Sequence, residues 1–137
     1  ELDRINALRT HEDVLRMIAD PSVSANSPIA MFVGLDERNP DRYIVNVSHA
    51  GLGLPEREFY RRSDGQFPQI REQYVAHIER ILGLAGQTNA GRKAREVMAF
   101  ETAIAERHWA RADRRDRTRT YNLKSRAELR SLAPRFP

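Results

Sequence analysis

Apolar residues recur at intervals of three and four through most of this chain, and in one stretch the pattern changes to alternation. Leu2, Ile5, Leu8, Val14, Leu15, Ile18 and Ala19 mostly follow helical spacing, the interval at which side chains share one face of a helix. This predicts helix over about 2–20, with Thr10 placed to cap a second helical stretch whose third residue is Asp13, and Pro21 placed to end it. Ile29, Met31, Val33 and Leu35 then alternate with other residues, and beyond Asn39-Pro40-Asp41 the run Tyr43-Ile44-Val45-Asn46-Val47 is rich in β-formers. A β-hairpin over about 29–48 follows. In Gly51-Leu52-Gly53-Leu54-Pro55 two glycines permit positive φ, and the proline suits the first turn of a helix over about 55–62. This stretch reads as a tight connector, not a phosphate loop.

Ile70, Tyr74, Ile78, Ile81, Leu82 and Ala85 share one face of a helix predicted over about 69–85, with Gly83 and Gly86 at its end. A second helix over about 91–110 carries Ala94, Val97, Met98, Ile104, Ala105 and His108 inward, with Asn89 or Thr88 as cap. Glu101 falls on that inner stripe. Residues 111–122 lack periodicity and read as a basic loop. Ser125 and Glu128 then have the spacing of a capping box for a short helix, and Pro134 and Pro137 close the chain. The expected fold is mainly α with a small β-hairpin, and a chain of 137 residues is sized for a single domain.

The formal charge of +4 is unevenly placed: residues 1–91 carry 10 Arg and 13 acids, whereas residues 92–137 carry 13 Lys plus Arg and 6 acids. Nearly all the positive charge is arginine, which pairs bidentately with carboxylates or phosphates. No apolar run approaches the roughly 20 residues that span a membrane, so the chain is expected to be soluble. It opens inside a charged, periodic segment with no signal-peptide pattern, and reads as a piece of a longer polypeptide. Cysteine is absent, which excludes disulfides and thiolate zinc sites and leaves the compartment open.

No set of residues here has the spacing of a catalytic site. His11-Glu12 begins like a zinc-peptidase helix, but position 15 is Leu and His49, His77 and His108 lie too far apart for a helical pair. Ser48 beside His49 lacks the glycine-flanked turn of a serine nucleophile. Asp36, Glu37, Asn39 and Asp41 lack the spacing and central glycine of a calcium loop. Glu101 is the most informative residue, because a carboxylate facing a core must find a partner or be neutralised. The favoured reading makes it a buried anchor paired with Arg114 or Arg115; the other makes it a general acid or base. Arg107, Arg111, Arg114, Arg115, Arg117 and Arg119 are interrupted by Asp113 and Asp116 and lack an aromatic platform, so nucleic acid is not the expected partner.

Taken in order, these landmarks resemble the N-terminal region of the neprilysin and endothelin-converting-enzyme family of zinc metallopeptidases. Phe32-Val33-Gly34-Leu35-Asp36 with Arg38-Asn39 resembles the family's hairpin strand and turn. Gly51-Leu52-Gly53-Leu54-Pro55 with Arg57, Glu58 and Tyr60 is similar to its loop-to-helix segment, although Glu56, Glu58 and Phe59 depart from the common residues. Phe100-Glu101-Thr102-Ala103-Ile104-Ala105 resembles its glutamate-bearing helix, Arg115-Asp116 and Tyr121-Asn122 its following pairs, and Leu132-Ala133-Pro134 also fits.

The resemblance implies a helical lobe fragment that lies across a substrate cavity from the catalytic lobe of the same polypeptide. It would restrict access to peptides, while zinc and the catalytic residues lie outside residues 1–137. The implied structural anchors are Glu101, Arg114, Arg115, Asp116, Tyr121, Asn122, Gly51, Gly53 and Pro55. No catalytic, metal or cofactor-binding residue is carried over. The resemblance favours a periplasmic, secreted or membrane-anchored parent, and apolar surface left exposed in the fragment would favour self-association. The alternatives are a free-standing helical protein-interaction module and a basic nucleic-acid-binding domain.

Overall fold

In the computed structural model, residues 2–20, 22–23 and 26–134 are described; Pro21 and Pro137, expected to end a helix and the chain, lie outside them. The chain divides into two compact units, one of residues 28–110 and one formed by residues 1–27 with 111–137. Among the described residues the architecture is mainly helical with one two-stranded antiparallel hairpin.

The larger unit begins with β1 (Ile29–Asp36) and β2 (Asn39–His49). Their register pairs Met31 with Val47, Val33 with Val45 and Leu35 with Tyr43, and shifts between Leu35 and Asp36. Asp36 is the largest fully buried side chain among the described residues. It accepts from the Arg38 backbone N–H at 2.9 Å and from Arg42 Nε at 3.0 Å, with Arg42 Nη2 closing an ion pair. Burial is tolerable because these donors replace its water.

α3 (Glu58–Arg61) is shorter than the helix expected over 55–62. The backbone N–H groups of Gly53 and Leu54 are taken by the side chains of Glu101 and Tyr60, so the chain there is held as a loop and Pro55 precedes the helix. Arg71 Nη1 donates to the Phe59 and Arg62 carbonyls, both at 2.8 Å, satisfying acceptors at the end of α3. α4 (Phe67–Leu84) carries Pro68 in its first turn, where no intrahelical donor is needed. α5 (Ala90–Arg107) follows Asn89, which adopts left-handed φ of 56° and makes no side-chain cap.

Leu54, Tyr60 and Ala105 form the centre of the core, with Leu52, Phe59, Ile70, Tyr74 and Met98 packed against them. Phe59 and Phe67 meet edge to face at 5.2 Å between centroids, the arrangement their ring quadrupoles favour. Ile81, expected inward, is half exposed, because helical spacing places a residue on a face without guaranteeing a neighbour over every turn of it.

In the smaller unit the helical stretch expected over 2–20 is two helices, α1 (Leu2–Ala7) and α2 (His11–Ala19), with Thr10 capping the second as its spacing to Asp13 suggests. A capping box makes the break: Thr10 Oγ1 accepts from the Asp13 N–H, and Asp13 Oδ2 accepts from the Thr10 N–H at 2.8 Å. Arg4 reaches Asp20 at 2.8 Å. The pKa of Asp20 is pulled down to about 2, first by the Ser22 hydroxyl and backbone and then by Arg4. The stretch expected as an irregular loop at 111–122 contains a 3-10 turn at Asp113–Arg115 and a helical turn, α6 (Arg117–Thr120). Asp116 caps α6 by accepting from the Thr118 N–H at 2.9 Å, a local hydrogen bond that periodicity does not register. α7 (Arg126–Leu132) starts at the Ser125–Glu128 capping box.

Candidate functional site

Residues 50–57 of the larger unit form a loop fastened to the helices around it, chiefly through Glu101. From α5 this carboxylate accepts the Tyr60 hydroxyl at 2.5 Å and the Gly53 N–H at 3.2 Å on Oε2. The Tyr74 hydroxyl of α4 lies 3.0 Å from Oε1 and 3.2 Å from Oε2. Tyr60 also accepts the Leu54 N–H at 2.8 Å, so one phenol bridges loop and carboxylate. Three helices and the loop therefore meet at a single anion.

Glycine at position 53 is a requirement of space. A Cβ there would stand 1.8 Å from the Tyr74 hydroxyl oxygen and 2.7 Å from its ring carbon. Gly51 has a different constraint, a φ of 83°, which L side chains rarely adopt.

The second fastening is at the end of α5. His108, which is buried, approaches the Ala50 carbonyl through Nε2 at 3.2 Å, and its ring stacks on that of His49 with centroids 3.9 Å apart. Arg57 Nη1 donates to the His108 carbonyl at 2.6 Å, satisfying a helix-terminal acceptor. Its Nε lies 3.4 Å from Glu58 Oε1, an ion pair without hydrogen-bond alignment.

Within its own unit Glu101 is held by two phenols and a backbone N–H, where the sequence suggests Arg114 or Arg115, which belong to the other unit. Aligned neutral donors can stabilise an anion as a cation does, through oriented dipoles. Arg114 and Arg115 lie in the 3-10 turn, Asp116 caps α6, Tyr121 ends it, and Asn122 Nδ2 donates to the Arg119 carbonyl at 2.7 Å. Gly51, Gly53 and Pro55 all lie in the fastened loop. Periodicity and charge do not by themselves identify Tyr60 and Tyr74 as the partners of Glu101. The available signal was chemical: an inward-facing carboxylate calls for donors, and each phenol carries one on an otherwise apolar body.

Burial, followed by the hydrogen bond to Glu101, raises the pKa of Tyr60 above the ordinary phenol range. Tyr74 is pushed up to about 12, by burial first and then by the charge of Glu101. A raised folded-state value means that the fold holds these protons more tightly than the unfolded chain does. Their stabilisation is therefore complete below the ordinary phenol value near 10 and disappears as pH rises toward 12. The wild-type melting temperature should fall steeply across that window, and Tyr74→Phe should flatten the fall. Equal alkaline slopes for the two proteins would contradict this account.

Among the described residues no group of three or more His, Cys, Asp or Glu is placed to hold a metal ion. Glu101 accepts hydrogen bonds from Tyr60, Tyr74 and the Gly53 N–H, all within the larger unit. No described helix is long and apolar enough to cross a membrane.

Comparison with known proteins covers the entire chain. Residues 1–137 match the N-terminal model of peptidase family M13. Endothelin-converting enzyme-like 1 of Rattus norvegicus is 31% identical over 134 residues, covering 96% of this chain and 17% of that protein. Endothelin-converting enzyme 1 of Cavia porcellus is 32% identical over 108 residues, covering 77% of this chain and 14% of that protein. The crystal structure of the Mycobacterium tuberculosis zinc metalloprotease Zmp1 with an inhibitor superposes with a TM-score of 0.86 at 28% identity, covering 95% of this chain and 20% of that one. The cryo-EM structure of Zmp1 in its open state gives 0.82. The chain thus spans about a fifth or less of the proteins it matches.

Proposed function

The chain belongs to peptidase family M13, as part of its N-terminal region, and on that premise we propose that it forms part of the wall enclosing the substrate cavity of a zinc-dependent metalloendopeptidase. The wall limits access to peptides. Zinc and the groups that activate water belong to the rest of the same polypeptide, and residues 1–137 contribute enclosure and positioning. The observation that carries this reading is the convergence of the Gly53 loop, Tyr60 and Tyr74 on Glu101, which ties a connector to three helices. A wall that discriminates by size must keep its shape, and such a node suppresses local opening.

The test compares two substrates of the full-length enzyme, a short peptide and a folded protein carrying the same cleavable segment in a surface loop. The parent should cleave the peptide and spare the protein. Glu101→Gln should raise the ratio of protein to peptide cleavage while leaving zinc content unchanged. An unaltered ratio in a variant shown to be loosened by hydrogen exchange at Gly53 and Leu54 would remove the access-limiting role from this segment.

A further inference from the structure

The two faces of the hairpin differ in burial. Met31, Val33 and Leu35 pair with Val47, Val45 and Tyr43 and so lie on one face, and all six are 52% to 72% exposed. On the other face Gly34, Ile44 and Asn46 are partly buried and Asp36 is buried, with Phe32 alone of the large apolar side chains there exposed. Among the described residues no helix of the larger unit packs against β1 or β2.

Six neighbouring apolar side chains on one side of a two-stranded ribbon are not scattered surface hydrophobes. An isolated hairpin is marginally stable in water, and a ribbon needs a third strand or a packed layer to persist. Strands that remain exposed usually carry charge, lysine above all, against self-pairing. These six positions carry none. The absence of charge suits an interface that is never opened, since permanent interfaces are more apolar than transient ones. It also argues against nucleic acid or a charged protein as occupant.

We propose that this face is a docking surface for an apolar layer of the same polypeptide, contributed by the part that lies outside residues 1–137. The proteins that this chain matches supply ample chain for it: residues 1–137 cover 17% of the rat relative and 20% of Zmp1. The inference rests on the reading of this chain as one region of a longer peptidase, and adds which of its surfaces the remainder covers.

The test is thiol labelling of the full-length protein carrying Val45→Cys, with Val33→Cys as a second conservative variant should the first not fold. Labelling of the unsubstituted protein is subtracted as background. The introduced thiol should react at least about tenfold more slowly in the native protein than in the urea-unfolded one, and the slowing should persist on dilution to the monomer. Slowing of less than that in the folded variant overturns the proposal. Protection lost on dilution also overturns it, because the occupant is then a second copy. Peptidase activity of the unsubstituted enzyme is assayed separately. An active enzyme with an open hairpin face would refute this inference alone, and an inactive one with a protected face would refute only the enzymatic reading.

Discussion

Gly53→Ala should lower the melting temperature by about 10–20 °C, corresponding to roughly 2–3 kcal/mol for overpacking in a unit of this size. The added methyl cannot be accommodated by a small shift, because it would stand 1.8 Å from the Tyr74 hydroxyl oxygen and 3.3 Å from Glu101 Oε1. Tyr74 must swing away, losing its hydrogen bonds to Glu101, or the loop must lift, losing the Gly53 N–H bond. Gly53 is not among the positive-φ glycines, so the cost arises from space and not from backbone strain. Gly83→Ala in α4 is the matched control, since nothing lies within 4 Å of its added Cβ. It should be neutral or stabilise by up to about 1 kcal/mol through helix propensity. Thermal unfolding followed by circular dichroism decides the matter, and a Gly53→Ala protein that melts with the wild type would refute the close packing described here.

Removing the anion from the other side should have an effect of similar size. Glu101→Ala leaves two hydroxyls and a backbone N–H without their acceptor, and is expected to cost about 3 kcal/mol, given roughly 1–3 kcal/mol for each group left unsatisfied and some replacement by water. Glu101→Gln keeps one carbonyl oxygen and the shape of the side chain, and should cost about 2 kcal/mol. Because Tyr60 both donates to Glu101 and accepts from Leu54, Tyr60→Phe and Glu101→Gln should be non-additive, with a coupling of about 1 kcal/mol or more in a double-mutant cycle. Strict additivity would mean that the phenol and the carboxylate act independently, contrary to the 2.5 Å contact between them. Hydrogen exchange gives a local reading of the same event, since the Gly53 and Leu54 amides should lose protection before those of α5 do.

Both experiments probe a constellation that was half visible in the linear chain. Glu101 stood out because a carboxylate on an apolar helical stripe violates the pattern around it, and a violated pattern signals a specific partner. Which partner was another matter. Arginine was the obvious candidate on charge, and the basic stretch after residue 110 supplied several, yet the donors are Tyr60, Tyr74 and the Gly53 amide, 41, 27 and 48 residues away in sequence. Charge complementarity counts candidates without regard to distance. Packing of α3, α4 and α5 brings two phenols to the carboxylate.

The sequence by itself determined what depends on neighbours along the chain. Spacing of three and four set α4 and α5, alternation set the hairpin, and the side chains of Thr10 with Asp13 and Ser125 with Glu128 marked helix starts at α2 and α7, because each of these is a local interaction of a few residues. The order of its motifs also indicated the family. The tertiary structure alone decided which inward-facing positions are covered: Ala105 is fully buried while Ile81 on α4 is half exposed, and one side of the hairpin meets no helix of its own unit. It alone revealed that Gly53 is glycine for want of space beneath Tyr74. Burial and close approach depend on what arrives from distant parts of the chain, and periodicity within one element carries no record of those arrivals.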